Sequence, residues 1–162
     1  MSVNTIPHIH ALLKPETIRV GMPGGTKREV IDAVVDLIAE HPSVRDVEAV
    51  RAAVLEREKV MSTGVGKGLG LPHAKTPAVR STVAALAITD TPVDFGAIDN
   101  EPVRLIFLLV GTEAARSQHI KILSRISRLL NRDPFRQRLL KATSAEEVQK
   151  AFADVESELV GG

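Results

Sequence analysis

Residues 103–110 read Val-Arg-Leu-Ile-Phe-Leu-Leu-Val, and from Leu105 to Val110 every side chain is apolar. A short unbroken apolar run of this kind fits a β-strand buried on both faces. Such a strand needs a packed layer on each side, so helices are expected over both faces of the sheet that contains it. On its upstream side Asp99-Asn100-Glu101-Pro102 reads as a turn, and residues 82–89 alternate weakly enough to form a second strand. Val93 and Phe95 flank Asp94 and suggest an edge strand. A further short strand is expected at residues 17–20.

Helices fill the remainder. Thr26 with Glu29 three residues later forms a capping box, followed by an apolar face of Ile31, Val34, Val35 and Ile38 that should run to the stop at His41-Pro42. A second helix is expected from about Val44 to Glu58 on the line Val47, Val50, Val54. Downstream of the buried strand, Ser117 is placed to cap a helix over residues 118–131, with Ile122, Leu123, Ile126, Leu129 and Leu130 on its inner face. Asp133-Pro134 starts another helix, and Ser144 with Glu147 opens the last. The pattern is an α/β chain of 162 residues, a length that suits a single domain. The ends, up to His10 and from Val160, are expected to be mobile, leaving a core of about residues 11–155.

Composition removes several classes of function. There is no cysteine, which excludes disulfides, thiol catalysis and cysteine-ligated zinc. The formal charge of +1 and an aromatic complement of four Phe leave neither a basic field nor a stacking platform for nucleic acid. The basic residues between Lys121 and Lys141 alternate with apolar ones and read as solvated helix faces. No segment has the form of a secretory signal or a bilayer span, so a cytoplasmic protein without direct membrane insertion is expected. There is no HExxH pattern, and His8 and His10 by themselves fall short of the three or four ligands that zinc usually takes, so no metal site and no cofactor are expected.

Four glycines alternate through Gly64, Gly66, Gly68 and Gly70, which is a loop or a loop leading to a short strand. The stretch fails as a dinucleotide loop, because Leu69 and Leu71 occupy the third glycine position in the two possible registers. It fails as a Walker loop, because Gly68 follows Lys67 where Ser or Thr is required. Glycines there still let a ligand approach the backbone and leave the next side chain accessible. That side chain is His73, held after Pro72.

Two further residues join it. Arg57 continues the apolar line of the second helix, and His119 lies on the inner face of a later helix within its first turn. A guanidinium fork suits phosphate oxygens, and the start of a helix favours an anion. Two imidazoles and an arginine are what a transient phosphohistidine needs: one ring to carry the group and two neighbours to spread its charge of roughly −2.

The stretches LEREKVMSTGVGKGLGLPHAK (55–75), VDFGAIDNEPVRLIFLLVG (93–111), QHIKIL (118–123) and DPFRQRLLKATSAEEV (133–148) resemble the enzyme IIA components of the bacterial phosphoenolpyruvate-dependent phosphotransferase system, fructose–mannitol type. The phrase Ala97-Ile98-Asp99-Asn100 leans toward the nitrogen-regulatory subgroup. The resemblance implies a mixed sheet between helical layers and a phosphorylated histidine at His73, with Arg57 and His119 as supporting site residues. It also implies an HPr-like histidine phosphocarrier as donor and a IIB component or a regulatory target as acceptor. Thr63 would add a hydroxyl near the phosphoryl group. The chain departs from the family pattern in having Gly70-Leu71 before Pro72-His73, where isoleucine-alanine is common, and Ala74 where glycine is common.

Overall fold

The computed structural model describes residues 7–161. The chain opens with a single helical turn, α1 (Ile9–Leu12), and a 3₁₀ turn at Pro15–Thr17 before β1 (Ile18–Met22). Helices α2 (Lys27–Asp36) and α3 (Val47–Val60) follow, then three short strands, β2 (Gly64–Gly66), β3 (Leu69–Gly70) and β4 (His73–Lys75). The long strands β5 (Val83–Val93) and β6 (Val103–Gly111) come next, and α4 (Arg116–Leu130), α5 (Asp133–Leu140) and α6 (Ala145–Gly161) complete the chain.

The apolar run at 103–110 is the spine of the molecule. β6 pairs antiparallel with β5 on one side, and on the other it pairs parallel with β3 and then, further along, with β4. β1 extends the sheet beyond β5 in parallel, and β2 extends it beyond β3 antiparallel, giving one mixed sheet of six strands. Leu105, Phe107 and Leu109 face a core built with α1, α4, α5 and α6, while Ile106, Leu108 and Val110 face one built with α2 and α3. β5 alternates in step: Leu86 and Ile88 point to the first core, Ala85 and Ala87 to the second. The expected two-sided helical cover is therefore present. Its apolar area supplies most of the driving force, at about 25 cal/mol per Å² buried. No helix among the described residues is long and apolar enough to cross a membrane.

Several local expectations are corrected. β5 does not stop at residue 89: it bulges and continues to Val93, which pairs with Val103, so Val93–Phe95 is no separate edge strand and both residues are buried. α2 ends at Asp36, and residues 37–40 form turns rather than carrying the helix to His41. α3 begins at Val47 because Asp46 accepts from the amides of Glu48 and Ala49; Val44 instead bridges to Val79. Ser117 lies inside α4, and the chain enters that helix through a 3₁₀ turn capped by Thr112. The glycine stretch is a β2–β3 hairpin whose turn residues Lys67 and Gly68 both have positive φ (56° and 79°), as a tight two-residue hairpin turn requires.

The start of the chain is anchored from Pro7 onward: Ile9 is fully buried and His10 bonds to α6, so His8 and His10 do not sit in a loose arm. At the other end α6 extends to Gly161, and residues 1–6 and Gly162 lie outside the described residues. Arg136 is buried, unlike its basic neighbours, and its guanidinium donates to the carbonyl of Leu130 (2.8 Å) at the end of α4.

Candidate functional site

His73 is the first residue of β4, where the parallel pairing with β6 sets it opposite Leu109. Its Nδ1 lies 2.8 Å from the carbonyl oxygen of Leu71. A carbonyl only accepts, so Nδ1 carries the hydrogen and, in the neutral ring, Nε2 carries the lone pair. Burial is the main influence on this imidazole and holds its pKa below the ordinary histidine value. The charges of Arg57 and Lys75 push the same way, against the opposing Leu71 carbonyl and Glu58 carboxylate. The ring is therefore largely neutral, and hence nucleophilic at Nε2, at physiological pH.

His119 stands beside it, with ring centroids 5.9 Å apart and ring planes tilted by 48°. It projects from the start of α4, and only 2% of its surface is exposed. Neither of its ring nitrogens has a hydrogen-bond partner among the described residues. Burial, reinforced by His73 and Lys75, pushes its pKa down to about 4. A buried polar group left unpaired costs about 1–3 kcal/mol, and this ring has one donor and one acceptor to offer a group that enters beside His73. The ring fits because residue 111 is glycine: a Cβ there would lie 2.7 Å from the Nδ1 of His119.

Arg57 enters from the last turn of α3, half-buried, with Nη1 donating to the carbonyl of Met61 (3.0 Å). The structure thus sets His73 beside His119 and places Arg57 within electrostatic reach of His73, the three residues coming from separate elements. It also shows residues that the sequence reading passed over. The Glu58 carboxylate accepts from the amide of Thr63 (2.8 Å) and from its hydroxyl, and it pairs with Lys27 (2.5 Å). The Thr63 carbonyl accepts from the Leu71 amide (2.9 Å), and the Leu71 carbonyl in turn fixes the His73 ring. This relay runs from α2 through α3 and the glycine hairpin to the reactive imidazole. The Thr63 hydroxyl is committed to Glu58, so Thr63 positions the backbone and is not a free donor.

Glu58 had a signal in sequence only as the neighbour of Arg57. Lys75 had a clearer one, since it lies two residues beyond His73 on a strand and so on the same face. The departure at Gly70 also has a local cause: a Cβ there would meet the ring of Phe95 at 3.0–3.3 Å, so glycine at 70 goes with phenylalanine at 95.

Comparison with known proteins bears on what this arrangement is for. Residues 11–155 match the model of the family described as phosphoenolpyruvate-dependent sugar phosphotransferase system, EIIA 2. The chain belongs to that family. A nitrogen regulatory protein from Pseudomonas aeruginosa is 34% identical over 92% of this chain and 97% of its own length. The fructose-specific EIIA component from Haloferax volcanii is 37% identical over 93% of this chain and 97% of its own. The crystal structure of nitrogen regulatory protein IIA-Ntr from Neisseria meningitidis superimposes with a TM-score of 0.83 at 32% identity, covering 89% of this chain and 98% of that one. The EIIA relatives thus carry both transport and regulatory names, and the mixed sheet with helical layers is the fold of the IIA structures.

Proposed function

We propose that this EIIA chain is a cytoplasmic phosphoryl carrier that accepts the group on Nε2 of His73 from an HPr-like histidine phosphocarrier. It passes the group to a IIB component or uses it as a regulatory signal. The observation that carries this reading is the pair of imidazoles. One has its Nδ1–H pinned on a carbonyl, and the other is buried with no partner for either nitrogen among the described residues.

The chemistry balances without a cofactor. The Nε2 lone pair of His73 attacks phosphorus in line, a new N–P bond forms, and the donor's N–P bond breaks with its electron pair returning to the donor imidazole. The Nδ1–H of His73 stays on Leu71 throughout. Charge on the equatorial oxygens of the loose transition state is met by Arg57 and by an N–H of His119, with Lys75 adding to the local positive potential. Once the group is seated, its two negative charges favour protonation of His119, so a ring that is neutral in the free protein becomes a stronger donor exactly when there is an anion to hold. Exposed Met61, whose carbonyl accepts from Arg57, and Ile120, next to His119, give a protein donor apolar surface to dock on.

The test is the intact mass of the chain after incubation with phosphoenolpyruvate, enzyme I and a histidine phosphocarrier. An acid-labile gain of one phosphoryl group supports the carrier reading, and no gain rejects it. The transport and regulatory branches separate at the acceptor. Loss of the phosphoryl group to a IIB component marks transport, whereas a partner captured by only one of the two phosphorylation states marks a regulatory binding module. The nitrogen regulatory names among the relatives favour the second branch.

A further inference from the structure

We propose that His8, His10 and Glu156 form a binding site for a divalent transition-metal ion of the zinc class, which clips the start of the chain onto α6. The three side chains converge from opposite ends of the sequence, and their ligand atoms lie within 4.8 Å of one another. Nδ1 of His10 is 2.8 Å from one carboxylate oxygen of Glu156, and Nδ1 of His8 is 3.7 Å from the other. Ligand atoms about 2.0–2.2 Å from a tetrahedral zinc ion stand about 3.3 Å apart, between these two separations. The two rings stack with centroids 5.1 Å apart and planes within 22°, and both Nδ1 atoms face the Glu156 carboxylate.

The surroundings resemble those of a metal-ligating carboxylate. Glu156 is 2% exposed, and its oxygens accept from the amides of Ile9 (2.6 Å) and His10 (2.8 Å), bonds that fix the carboxylate's direction. Gln149 holds the same segment from outside by donating to the carbonyls of Leu13 (2.8 Å) and His10 (3.3 Å). His8 is half exposed and His10 about a third exposed, so an ion can enter and a water can take the fourth position. Two imidazoles and one carboxylate select zinc, nickel or cobalt over magnesium and calcium, which take oxygen ligands. Arg125 lies 3.8 Å from Glu156 and opposes the incoming charge. On binding, the hydrogen on His10 Nδ1 leaves to solvent and the neutral ring takes one back at Nε2, so the ligand stays a neutral imidazole and the ion takes the place beside the carboxylate.

The experiment uses the full chain with any purification tag removed. Zinc chloride is titrated in competition with a chromophoric chelator, and cobalt(II) chloride is followed by its visible absorption. The expected result is one ion per chain, a rise of a few degrees in the unfolding midpoint, and about tenfold or greater loss of affinity in each of His8→Ala and His10→Ala. The variant His41→Ala should bind as the parent does. Glu156→Gln also disturbs the packing of α1, so the single histidine variants decide the matter. Absence of saturable binding below about 1 mM zinc, or binding unchanged in both His8→Ala and His10→Ala, overturns the proposal.

Discussion

The molecule holds two pairs of histidines whose surroundings are opposite in sign. His73 and His119 meet across a site supplied with Arg57 and Lys75, and His119 has no hydrogen-bond partner among the described residues. His8 and His10 meet over a buried carboxylate that the amides of Ile9 and His10 hold in place. The same side chain thus serves two ends. Where burial and cations hold the imidazoles neutral, they are ready for an anion. Where a buried anion gathers them, they are ready for a cation. What distinguishes the two is the polar group within reach of the rings, not the rings themselves.

The largest expected effect breaks the first pair outright: His73→Ala abolishes phosphorylation, read as loss of the acid-labile mass gain. Removing a supporting group comes next. Arg57→Ala and His119→Ala should each slow transfer by more than about tenfold while leaving the circular dichroism spectrum unchanged, since each removes stabilisation of developing charge. Wild-type rates in both variants would show that His73 acts without them.

A third prediction concerns stability. The pKa of His119 in the folded chain is about 4, against about 6.5 unfolded, so between these values the unfolded chain binds the extra proton. Stability is full above pH 6.5 and falls as the pH drops toward 4, by about 3 kcal/mol from this one buried group. His73 and His41 are also held low by burial and act in the same direction. His119→Gln should therefore lose less stability on acidification than the parent, measured as urea midpoints at pH 7 and pH 4.5; equal losses would mean that His119 is not held neutral by the fold.

The smallest effect tests the relay. Glu58→Gln keeps the bond to the Thr63 amide but weakens the pairing with Lys27, so phosphoryl transfer should slow several-fold, through the placement of Leu71 and His73, with the tautomer of His73 less sharply defined in nitrogen NMR. Unchanged rate and unchanged ring signals would remove Glu58 from the positioning chain.

The legibility of these features in sequence follows their range. The buried strand was plain from the apolar run at 105–110, and the capping box at Thr26 from residues three apart, because both are local. The end of β5 was not, because it is set by the pairing of Val93 with Val103 beyond an irregularity after Ile88 and not by local alternation. Arg57, His73 and His119 stood out because each breaks a local pattern: an arginine on an apolar line, a histidine after a glycine run, a histidine on an inner helix face. Glu58 and Lys27 break no such pattern, and their pairing exists only once α2 and α3 are packed. The third member of the terminal cluster is the extreme case, since Glu156 is 146 residues away from His10.

Nitrogen NMR of the ring atoms, before and after phosphorylation, tests the central contrast most directly. In the free protein His73 should carry its hydrogen on Nδ1, and His119 should titrate well below the ordinary value. After transfer the phosphoryl group should sit on Nε2 of His73 and the titration of His119 should move up. A phosphoryl group on Nδ1, or a His119 that titrates near 6.5 in both states, would contradict a site built from two neutral imidazoles, one pinned at Nδ1 by Leu71, to receive an anion.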